Sequence, residues 1–239
     1  MKPIIRHARV AAVLALAALV FAAGCDKKKE EGKGDKPSSG AKDGLGAKHG
    51  GTPTSREGQM FLLGVKLAQA AMTNGRADAG VTARTFNVAK TVVDVTLHQP
   101  LEPLPAATGD GAKDGAAGMA YLLDGPGKAL GAKIATDFGD SAVACYELGV
   151  KLNMLPMLYI DDPKDSMGDT MADVFGRLAT KAKLPPDAMG PIIGKLEARA
   201  PMSEVTDLVF ALNDSLPKTI GELYEKDDDK PTKTSALSE

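Results

Sequence analysis

Residues 57–74 read EGQMFLLGVKLAQAAMTN, and their apolar side chains recur at helical spacing. Phe61, Val65, Ala68 and Met72 follow one another at steps of four, three and four. Those steps line one stripe of a helix, whereas in a strand they would point to both faces. Thr54 and Glu57 have the spacing of a capping box ahead of the run, and Gly75 suits its C-terminal stop. The pattern predicts a helix from about 57 to 74.

The same period continues along the chain. Phe86, Ala89, Val93 and Leu97 mark a second helix over about 78–98, closed by Pro100, Pro103 and Pro105. A Gly/Asp/Ala-rich loop to about Gly115 follows, then a broken helix over 116–138, interrupted at Gly125-Pro126-Gly127. Asp140 has the chemistry of a cap for a helix reaching Tyr159, with a kink at Pro156. Met167, Met171, Val174 and Leu178 mark another, stopped at Leu184-Pro185-Pro186. Ile192, Ile193 and Leu196 mark a short helix, and Val205, Leu208, Val209, Leu212 and Leu216 a long last one, bent at Pro217. No segment alternates with period two. The fold class expected is all-α, an irregular bundle of six to eight helices.

Composition agrees. The apolar residues are mainly Ala, Leu, Val and Met; Trp is absent, and aromatic residues make up 4%. Helix formers outweigh the β-branched and aromatic residues that favour sheets. The net charge of −2 leaves no basic field to recruit nucleic acid.

One short sequence occurs twice: LGVKL stands at 63–67 and again at 148–152. The same offset of 85 residues superposes Phe86, Ala89 and Val93 on Met171, Val174 and Leu178, and Pro100 on Pro185. A duplicated helical hairpin would explain these matches. Gly64 and Gly149 would then permit close helix approach at equivalent places.

The N-terminal quarter is of another kind. Residues 1–9 carry Lys2, Arg6 and Arg9 and no acid, residues 10–23 are an unbroken apolar run, and from Asp26 the chain turns abruptly charged. A basic start, an apolar run of this length and a small-residue exit are the parts of a secretory signal. Fourteen residues fall short of the roughly 20 that span a bilayer. The exit, Ala22-Ala23-Gly24-Cys25, resembles the bacterial lipobox, although the place three before the cysteine usually holds Leu and here holds Ala22. That resemblance implies diacylglycerol on the Cys25 thiol and cleavage of residues 1–24 by the lipoprotein signal peptidase. The alternative is an ordinary secretory signal cut near Ala23. Asp26, next to the cysteine, resembles the signal that retains enterobacterial lipoproteins in the inner membrane, a rule that does not hold across bacteria. The localisation implied is the cell envelope, lipid-anchored and facing the periplasm or exterior, on either membrane.

Residues 25–55 are rich in Lys, Gly, Ser, Asp and Pro and read as a disordered tether, with a span on the order of 30 Å. Residues 56–225 form the helical domain, and 226–239 read as a polar tail.

Reactive groups are few. Zinc sites need three or four ligands at recognisable spacing, and neither a His-Glu-x-x-His nor a paired-cysteine motif occurs. His98 reads as a helix-end residue and Cys145 as a small core hydrophobe, with a Cys145–His98 nucleophilic pair as the catalytic alternative. Asp161, Asp162, Asp165 and Asp169 lack the order of a calcium loop and read as turn and cap residues. No cofactor, metal or catalytic residue is expected. The reading is a membrane-anchored, non-enzymatic helical domain that binds or scaffolds a protein partner at the envelope. The other classes are a carrier of an apolar molecule or lipid and an unrecognised enzyme. A partner-binding domain would expose an apolar patch, and a carrier would enclose an apolar cavity. An enzyme would set Cys145 or His98 in a cleft with an acid.

Overall fold

The computed structural model describes residues 53, 55–76, 78–158 and 167–228. These form eight α-helices: α1 (Arg56–Thr73), α2 (Ala79–Thr96), α3 (Gly111–Leu123), α4 (Pro126–Phe138), α5 (Asp140–Leu158), α6 (Met167–Lys181), α7 (Pro186–Glu197) and α8 (Met202–Asp228). No strand occurs among the described residues. The architecture is the irregular all-α bundle that the periodicity predicts.

Helices α1 and α5 cross at its centre. On α1 the predicted stripe is buried, but so are Met60, Leu63, Leu67, Ala70 and Ala71. Burial all round marks a central helix rather than a surface one. Helices α2, α3 and α8 lie against α1, while α4, α6 and α8 lie against α5, and α7 closes over α6 and α8. Phe61 and Phe175 are the bulkiest of the fully buried side chains.

The two LGVKL segments meet at the central crossing. A Cβ on Gly64 would stand 2.2 Å from the Tyr146 carbonyl oxygen and 3.0 Å from the Val150 nitrogen. One on Gly149 would stand 2.5 Å from the Phe61 carbonyl oxygen and 2.8 Å from the Val65 nitrogen. Shifting the first set of residues by 85 yields the second set with the helices exchanged, so the contacts are reciprocal, as they are about a two-fold axis. The offset also carries the last residue of α1, Thr73, onto that of α5, Leu158, and the last residue of α2, Thr96, onto that of α6, Lys181. Past those ends, His98 and Lys183 are equivalent and share a left-handed backbone, with φ of 51° and 53°. This is the geometry that a duplicated hairpin produces. The symmetry stops after Pro100 and Pro185. The first copy runs on as an extended strap to Gly109, whereas the second enters α7 at once.

Four sequence readings need correction. The cap of α1 is Ser55, whose hydroxyl accepts from the Gly58 amide at 3.2 Å. Glu57 accepts instead from the Ser141 hydroxyl across the α1–α5 interface, and Thr54 lies outside the described residues. Asp140 sits in the first turn of α5 rather than capping it. The loop expected to run to Gly115 ends at Asp110, which caps α3 by accepting from the Ala112 and Lys113 amides. At the far end, α8 continues to Asp228, three residues into the stretch read as a tail.

Candidate functional site

Three features of the bundle have the makings of a site: a polar seam, a carboxylate clamp and two surface grooves. The seam lies where α8 meets α1 and α5. Asn153 and Asn213 form a reciprocal amide pair, each donating to the other's side-chain oxygen at 3.1 and 2.9 Å. Gln69 donates to Asn153 at 3.3 Å, and Lys66 donates to Gln69 at 3.4 Å. Burial lowers the Lys66 pKa, and the opposing charge of Asp214 limits the fall. The seam joins three helices by groups that satisfy one another, so it fixes how α8 docks. Every buried side-chain nitrogen and oxygen among the described residues has a partner.

The clamp holds the strap between α2 and α3. Asp114 is 2% exposed and accepts from the Thr108 amide and hydroxyl, both at 2.8 Å, and from the Gly109 amide at 3.0 Å. Those hydrogen bonds, the Thr108 amide first, together with the Arg76 charge, hold its carboxyl below the usual carboxylate range despite burial. Arg76 donates to the Gly111 carbonyl, Asn74 donates to the Pro105 carbonyl, and the Tyr121 hydroxyl donates to the Glu102 carbonyl. Gly75 is required twice, for its φ of 74° and because a Cβ would lie 2.1 Å from Asp114 Oδ2. The clamp therefore anchors backbone and offers no free acid. Asp114→Asn should lower the melting temperature at pH 7 by roughly 5 °C, since the Gly109 amide would face an NH2 group and the two bonds from Thr108 would lose their charge assistance. Because the native pKa is depressed, the carboxylate's contribution is complete above about pH 4 and vanishes as pH falls through the native value. Melting curves of both proteins from pH 7 down to about pH 2 should therefore converge. A constant gap across that range would overturn the assignment.

The grooves are open to solvent. One, of about 360 Å³, lies among α3, α4 and α5, with Leu122, Val143, Tyr146 and Val150 among its apolar lining and the Lys151–Glu147 ion pair at 2.9 Å on its rim. The other, of about 700 Å³, lies between α6 and α7 over Ala172, Gly176 and Ile193, flanked by the Arg199–Asp169 ion pair at 3.1 Å. Neither encloses a ligand-sized apolar cavity of the kind a carrier needs.

The residues singled out for chemistry are dispersed. Cys145 is fully buried in α5, where burial and then the charge of Glu57 push its thiol up to about 12. A thiol so placed stays protonated at neutral pH and makes a poor nucleophile. His98 is exposed just beyond α2, and neither residue lines either groove. In the Cys25→Ala chain, where Cys145 is the remaining thiol, a disulfide reagent should label the native protein at least about 100-fold more slowly than the unfolded one. Equal rates would mean that the α5 core opens readily.

Asp169 lies in the first turn of α6, while Asp161, Asp162 and Asp165 fall outside the described residues. No group of three His, Cys, Asp or Glu among the described residues is placed to hold a metal ion. Met154, Met171 and Met189 are buried in the core. The lipobox residues Ala22, Ala23, Gly24 and Cys25, together with Asp26, lie outside the described residues. No helix among the described residues is long and apolar enough to cross a membrane.

One apolar face is partly exposed. Val81, Val88, Val92 and Val95 share a side of α2; Val92 packs against the core, Val88 is half-buried, and Val81 and Val95 are 42% and 66% exposed. The positions equivalent to Val88 and Val92 in the second hairpin are Asp173 and Arg177, which form an ion pair in solvent.

No family model matches the chain, and no curated protein or solved structure matches it.

Proposed function

We propose that this chain is a bacterial lipoprotein, held at the envelope by lipid on Cys25, whose helical domain binds or scaffolds a protein partner on the extracytoplasmic side. The observation that carries the anchor is the succession of a basic start, an apolar run over 10–23, and Ala22-Ala23-Gly24 directly before Cys25. A polar segment follows at once, as a tether requires, and the described domain begins about thirty residues later. Support for a binding role is coarser. The grooves are open, the bundle's buried polar groups are committed to one another, and an apolar valine face is left on α2. That set suits contact with another macromolecule better than an enclosed ligand.

The anchor is tested by metabolic labelling with palmitate and by the mass of the mature N-terminus. The wild-type chain should carry label and begin at a modified Cys25, and Cys25→Ala should carry none. An unlabelled wild-type chain beginning at Gly24 would instead mean an ordinary secretory signal cut after Ala23.

A further inference from the structure

We draw no further inference here: the strongest candidate, the partly exposed valine face of α2 formed by Val81, Val88 and Val95, carries nothing because nothing in the structure shows what covers it.

Discussion

Replacing Gly64 by alanine should destabilise the bundle by about 3 kcal/mol, and Gly149→Ala should do the same, although alanine is the better helix former by about 1 kcal/mol. The two effects oppose each other, and distance decides between them. At either site the added methyl would lie well inside 3 Å of a main-chain atom of the facing helix, 2.2 Å from the Tyr146 oxygen or 2.5 Å from the Phe61 oxygen. A flexible side chain would swing aside, but a helix backbone yields only if the whole helix moves. Separating α1 from α5 at their crossing loosens contacts along both central helices, so the loss exceeds the gain in propensity. The control lies in the same molecule. Gly176, Gly190 and Gly194 have nothing within 4 Å of a Cβ, and alanine there should be neutral or stabilising by up to about 1 kcal/mol. The double variant should cost less than the sum of its parts, because the first methyl already props the helices apart for the second. Denaturant melts of the three variants and one control measure all of this. Strict additivity, or a Gly64→Ala protein as stable as Gly176→Ala, would sink the close-crossing account.

The crossing also illustrates which parts of the fold could be read in advance. The stripe Phe61, Val65, Ala68 and Met72 is a periodic signal and does form a helix. Burial of Leu63, Leu67 and Ala71 as well was hidden, because an apolar run in a Leu- and Ala-rich chain does not say how many sides have neighbours. The LGVKL repeat was visible as a string and suggested a duplicated hairpin, but nothing in a string says that the two copies lie face to face. Errors at helix ends have a local cause. Thr54 and Ser55 are both competent caps, and choosing between them needs backbone geometry, which selects Ser55. The start of α3 escaped because residues 106–115 hold two aspartates and three glycines and no large apolar side chain.

The candidate sites divide along similar lines. Cys25 and its neighbours are legible by composition, because a signal segment is recognised as a succession of residue types rather than as a shape. Asp114 was not legible, since its role depends on Thr108 and Gly109 folding back over it. Asn153 and Asn213 left a faint trace. Asparagine is a poor residue for a helix interior, and each interrupts an apolar helical run, which hints at a polar partner without naming it.

Cys25→Ala should move the protein from the membrane to the soluble fraction, reducing the bound share at least about tenfold, and the arithmetic leaves little room for a smaller effect. Each buried methylene contributes about 0.8 kcal/mol, one myristoyl-length chain already binds reversibly, and the two or three chains of a mature lipoprotein make release negligible. What remains after the substitution is weak. Lys27, Lys28 and Lys29 would each add about 1 kcal/mol on an anionic surface, but Asp26, Glu30 and Glu31 stand among them and offset it. Such residual binding would also be stripped by salt, since the Debye length falls from about 10 Å at 0.1 M to about 3 Å at 1 M. Fractionation in low salt, in 1 M salt and in detergent separates the cases. The wild-type chain should leave the membrane in detergent alone, and the variant should be soluble throughout or released by salt. A wild-type chain that keeps residues 1–24 and carries no acyl chain would place the anchor in the apolar run 10–23 and would overturn lipidation at Cys25 as the means of attachment. The melting temperature of the domain should be the same for both proteins, because the described core is built from side chains between Met60 and Tyr224. A shift there would mean that the anchor segment packs on the bundle, for which 26–52 supplies Leu45 as its one large apolar side chain.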